Sequence, residues 1–118
     1  DQVRTVVSRE ELRRLQDTLG DMVYVDKRVV GYIVDIVSEI RRHEDVVVGP
    51  SHRGSIYLYR LSKAYALIKG RDYVVADDVK LLARYVLPHR ILLRPGLPGS
   101  RRVEVVEYAL NRVSVPKE

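Results

Sequence analysis

A chain of 118 residues with 46% hydrophobic and 31% charged side chains has the composition of one globular domain. The absence of cysteine excludes disulfides and thiolate metal sites, and no apolar run approaches the roughly 20 residues of a membrane-spanning helix. The net charge of +5 admits an anionic partner. The basic pairs Arg13-Arg14, Arg41-Arg42 and Arg101-Arg102 are nevertheless separate and stand near Glu10, Glu39 and Glu104, as on solvated helix faces.

Ser8, with Glu11 three positions on, has the capping-box spacing, and Leu12, Leu15 and Leu19 then recur at helical intervals up to Gly20. They predict a first helix. Residues 22–25 form a short apolar connector. Asp26 is expected to cap a second helix, to about Arg42. Val29, Val30, Ile33, Val34, Ile36, Val37 and Ile40 make its apolar face, opposite Arg28, Asp35, Glu39 and Arg42. Gly31 costs that helix up to about 1 kcal/mol and so marks an expected close approach of another helix or of a ligand's base. Residues 43–49, with Val46-Val47-Val48, read as a loop.

Ser51 is expected to cap a third helix that runs to about Lys69 and stops at Gly70. Tyr57, Leu58, Leu61, Ala64, Tyr65 and Ile68 form its expected core stripe, with Arg60, Lys63 and Lys69 turned away. Tyr73-Val74-Val75 reads as an extended lead-in to a fourth helix, 76–85. There Asp77 and Asp78 complement the helix dipole, and no side-chain cap is available at Val75. Pro88 and residues 94–99 predict turns, and Ser100 caps a last helix with Val103, Val106, Ala109, Leu110 and Val113 on one face. The expected fold is all-α, a bundle of about five helices.

Arg53 is the leading site candidate. In the first turn of a helix, unpaired backbone amides already favour an anion, and a guanidinium adds charge-assisted, bidentate contacts to phosphate. A cation at a helix start is otherwise electrostatically unfavourable. His52 is a weaker second donor. His43, His52 and His89 lack paired-ligand spacing, so no metal site is expected. Tyr57, Tyr59, Tyr65 and Tyr73 read as packing residues rather than a base-stacking platform. The chain also lacks a G-x-x-x-x-G-K-[ST] phosphate loop and an apolar strand ending in paired acids, so it is not a complete nucleotide hydrolase. It begins at Asp1 with Met22 as its one methionine, and a longer parent protein is expected.

Four runs carry a resemblance: Gly49-Pro50-Ser51-His52-Arg53, Gly70-Arg71-Asp72-Tyr73-Val74, Asp77-Asp78-Val79 and Val86-Leu87-Pro88-His89-Arg90. Together they resemble the C-terminal lid of MoxR-type AAA+ ATPases, which carries Gly-Ala-Ser-Pro-Arg, Gly-Arg-Asp-Tyr-Val, Asp-Asp-Val and Val-Leu-x-His-Arg. The match extends over nearly all of 1–118, from Ser8 to Pro116. Pro50 and His52 depart from the family pattern, where alanine and proline are usual. Tyr32-Ile33-Val34 matches the family's Tyr-Ile-Val.

The resemblance implies that Arg53 is the catalytic sensor-2 arginine, reading the terminal phosphate. It also implies that Gly49, Pro50 and Ser51 line the nucleotide. Tyr32 and Ile33 are placed either beside the adenine or in the core, and His89-Arg90 in a structural or interdomain role. ATP and Mg2+ would be held by the parent protein, with neither bound tightly by this chain alone. The implied partners are its own AAA+ core, neighbouring subunits of a ring expected to be a hexamer, and a von Willebrand factor A domain protein. The implied setting is cytoplasmic and chaperone-like. The alternatives are the lid of a magnesium-chelatase-like AAA+ protein and a small basic helical module that binds nucleic acid.

Overall fold

The computed structural model describes residues 22–117. The expected first helix, 8–20, lies outside them, so the described residues hold four α-helices and a small two-stranded ribbon. Helix α1 is Lys27–Arg41, capped by the Asp26 carboxylate, which accepts from the Arg28 amide at 2.8 Å. Strand β1, Val46–Val48, follows, then α2, His52–Ile68, and α3, Ala76–Val86. A 3-10 turn at Leu87–Arg90 leads to β2, Leu92–Leu93, and a loop leads to α4, Arg101–Arg112. Helix α2 packs chiefly on α3, while α1 lies against α4 and α2.

The core gathers Ile36, Ile40, Leu58, Val79, Ala83, Leu87, Val105 and Ala109, all with no exposed surface. In α1 the buried set is Val29, Tyr32, Ile33, Ile36, Val37 and Ile40. Val30 and Val34 are exposed, contrary to the face expected for them. They sit about 100° round the helix from their inward neighbours, beyond the edge of the contact stripe. Gly31 has nothing within 4 Å of where a Cβ would be, so no described element makes a close approach there.

The larger correction is in α2. Its buried residues are Gly54, Leu58, Ser62, Lys63 and Ala66, whereas Tyr57 is 45% and Ile68 82% exposed. Small side chains at 54, 62 and 66 let this helix approach its neighbours, and they outweigh the bulkier stripe beside them. The Ser62 hydroxyl donates to the Leu58 carbonyl at 2.8 Å, which removes the cost of burying it. Lys63 packs its ammonium 5.0 Å from the centre of the Tyr59 ring. In α4 the inward valines are Val105 and Val106, whereas Val103 is 52% exposed.

Helix ends follow local chemistry. Gly70 takes φ of 78°, open to glycine, and closes α2 with Gly70 N–H to Leu67 O and Arg71 N–H to Ala66 O, both at 2.9 Å. At the start of α3, Val75 supplies no side-chain cap, but the Asp78 carboxylate accepts from the Val75 amide at 3.0 Å. The same buried carboxylate takes a forked pair of bonds from Arg71, at 2.8 and 2.6 Å. Ser51 and Ser100 hold the cap positions of α2 and α4 without capping hydrogen bonds from their side chains.

Residues 46–48 are not loop: β1 pairs antiparallel with β2. Three residues with one inward side were too few to show a strand periodicity. The lead-in before α3 is extended, as expected, and forms a parallel bridge between Tyr24 and Tyr73. The hydrogen bonds are Tyr24 N–H to Asp72 O at 2.8 Å and Val74 N–H to Tyr24 O at 3.0 Å.

Two carboxylates tie distant segments together. Asp45 accepts from Arg101 at 2.8 Å and Arg94 at 3.2 Å. Glu39 accepts from Arg42 at 2.9 Å and Arg112 at 2.8 Å. Bonding to Arg101, then Arg94, holds the Asp45 carboxyl below the ordinary carboxylate range, and Arg42, then Arg112, does the same for Glu39. A carboxyl whose pKa is lower in the folded than in the unfolded chain stabilises the fold above its unfolded pKa. That stabilisation is lost as pH falls from about 4 through the lower folded value. Urea midpoints should therefore hold steady from pH 7 to 5 and drop below about pH 4. The drop should be shallower in the Glu39→Gln, Asp45→Asn double variant. Identical profiles for parent and variant would refute the assignment.

Candidate functional site

The start of α2 is built by an unusual turn. At Gly49 a Cβ would stand 2.9 Å from Arg41 Cγ and 3.2 Å from Arg41 Cα. Only glycine lets the chain pass so close to the end of α1. Arg41 then donates from Nε to the Pro50 carbonyl at 2.8 Å, and Pro50 is buried. The turn is thus pinned by an arginine from the preceding helix, not by the Ser51 hydroxyl. Ser51 contributes its carbonyl, which accepts from Gly54 N–H at 2.9 Å and Ser55 N–H at 3.3 Å. The amides of His52 and Arg53, first and second in the helix, belong to the group that has no intrahelical acceptor.

Arg53 is exposed and has no carboxylate partner among the described residues. Gly54, beside it, is buried: a Cβ would lie 3.2 Å from Pro50 Cβ and 3.4 Å from Arg90 Cδ. The Arg90 guanidinium carbon sits 5.0 Å from the centre of the Tyr57 ring. The sequence placed Tyr57 in the core. The structure instead makes it an exposed ring in the second turn of the helix, with an arginine over it. His52 and His89 are exposed.

The structure brings Gly49, Pro50, Ser51 and Arg53 into one corner. It does not bring Tyr32 and Ile33 to a surface: each is 2% exposed, so neither offers a face to an adenine, and core packing is the reading that holds. Arg41 and the contact between Arg90 and Gly54 were not legible beforehand. The glycines at 49 and 54 were the available signal, since each marks a close approach.

The donor set fits the phosphate side of a nucleotide: a guanidinium and helix-start amides, with no neutralising carboxylate among the described residues. Magnesium is different, because no cluster of three or more His, Asp or Glu that could hold a metal occurs among the described residues. An apolar groove of about 350 Å³, lined by Tyr24, Val29, Tyr73, Val74 and Pro116 among others, includes none of residues 49–53. No helix among the described residues is long and apolar enough to cross a membrane.

A family model described as the AAA lid domain matches residues 38–108. The chain is 39% identical over 113 residues to an uncharacterized protein, YeaC, of Bacillus subtilis, covering 94% of this chain and 35% of that one. It is 32% identical over 127 aligned positions to the chaperone MoxR1 of Mycobacterium tuberculosis, covering 98% and 33%. A solved structure from Cytophaga hutchinsonii, described as a candidate ATPase, aligns with a TM-score of 0.78 and 27% identity. That alignment covers 95% of this chain and 37% of the other. The chain spans about a third of the length of these relatives.

Proposed function

The chain belongs to the AAA lid domain family, in its MoxR-type branch, and from that premise we propose that it closes over ATP held by the core of a longer AAA+ ATPase. Arg53 is the residue that reads the terminal phosphate. Its guanidinium holds that group in place and stabilises the charge that spreads over the phosphate oxygens during hydrolysis. Gly49, Pro50 and Ser51 form the edge of the nucleotide site. Magnesium belongs to the core, where it would neutralise phosphate charge.

One observation carries this reading. Arg53 stands in the first turn of α2, exposed and with no carboxylate partner among the described residues, at a position that disfavours a cation unless an anion joins it. The turn before it is fixed by Arg41, so the helix start is set before any ligand arrives. The partners that go with this role are the core domain, neighbouring subunits of a hexameric ring and a protein with a von Willebrand factor A domain. The role is chaperone-like and cytoplasmic, and one relative is named a chaperone.

Hydrogen exchange in the full-length protein tests the placement directly. A non-hydrolysable ATP analogue should slow exchange of the amides of residues 52–56, because the ligand covers the helix start. Unchanged exchange at saturating analogue would show that α2 does not face the nucleotide.

A further inference from the structure

Arg90 ends a 3-10 turn that is anchored on both sides. Leu87 and Pro88 are buried, and Arg102 donates from Nε to the Ile91 carbonyl at 2.9 Å. From that base its stem runs past Gly54, and its guanidinium lies over the Tyr57 ring, 5.0 Å from the centre. Tyr57 follows Arg53 by four residues, so the two share a face of α2. Arg90 therefore brings a second cation to the face that carries Arg53.

Charge pairing divides the arginines of the described residues, and Arg60 falls with these two on the side that meets no carboxylate. Arg71, Arg84, Arg94, Arg101 and Arg112 each meet a carboxylate. Arg53 and Arg90 have neither a carboxylate nor a carbonyl partner among the described residues. Two un-neutralised cations on one face repel each other, and an anion shared between them removes that cost. The contact with the ring also suits such a ligand. A guanidinium whose contact is an aromatic ring and not an acceptor has its N–H donors left over for phosphate oxygens.

We infer that Arg90 is a second phosphate-contacting arginine, gripping together with Arg53 the terminal phosphate of the nucleotide. The inference rests on the reading of Arg53 given above. Gly54 is the enabling residue, because its missing side chain lets the Arg90 stem lie across the first turn of α2.

The 118-residue chain allows a test that does not depend on catalysis. Arginine Nε–H resonances can be followed by NMR as sodium triphosphate is added at low ionic strength. Those of Arg53 and Arg90 should shift with one shared half-saturation, while those of the carboxylate-paired Arg94 and Arg101 stay in place. Movement of Arg53 alone would overturn the role of Arg90 and leave that of Arg53 standing. Movement of neither, or of all arginines alike, would overturn both. In the full-length protein Arg90→Ala should lower turnover roughly tenfold, as expected for one lost charge-assisted contact. Arg90→Lys should restore part of the loss, and the thermal midpoint should not change. Normal turnover in Arg90→Ala beside a slow Arg53→Ala, or a loss that tracks the thermal midpoint, would reduce Arg90 to packing.

Discussion

In the full-length ATPase, Arg53→Ala is expected to slow turnover by a factor on the order of 10²–10³, with a much smaller change in nucleotide affinity. The asymmetry follows from where the guanidinium acts. On the reading proposed above, a phosphate loop in the parent's core would hold the ground state, whereas Arg53 would matter most as charge redistributes in transition. Arg53→Lys should recover only part of the rate, since a point charge lacks the planar fork. The fold should survive both changes, because the side chain is exposed and bonded to no carboxylate among the described residues. Steady-state hydrolysis and equilibrium nucleotide binding, measured on the same variants, provide the check. Near-normal turnover in Arg53→Ala would make this a surface arginine.

The second large effect concerns stability. Leu58→Ala should cost roughly 2.7–5 kcal/mol, because the side chain is fully buried between α2 and its neighbours and its loss leaves a cavity. Leu61→Ala should cost less than half as much, since Leu61 is only partly buried. Urea unfolding of the two variants compares the stripe seen in the structure with the one read from hydrophobicity. Equal losses would mean that the inward face of α2 is misplaced.

That contrast shows what the sequence made legible. Helix boundaries came through wherever a residue type has a local job: the Asp26 cap, the Gly70 stop and the acids at 77 and 78 all sit where backbone chemistry requires them. The inward face of α2 did not, because Gly54, Ser62 and Ala66 are buried for their small size, whereas pattern reading rewards bulk. The β-ribbon was invisible because its two strands hold three and two residues and lie far apart in sequence. In the candidate site, Arg53 was legible through a motif and a dipole argument. Tyr57 was misread as core, and Arg41 drew no notice beyond its place in a basic pair. Their roles depend on a neighbour that only the fold supplies.

The segment from Glu39 to Pro50 makes contacts in two directions within a dozen residues. Glu39 holds Arg112 at the far end of α4, Asp45 holds Arg101 at its near end, and Arg41 holds the carbonyl of Pro50. The corner that carries Arg53 and the whole length of α4 are therefore clamped to one short stretch of chain. A shift of that corner against α4 must break at least one of these bonds, so the two swing together as the ends of a single lever. If Arg53 meets phosphate as proposed, a push on that end would reach the other side of the domain through these bonds.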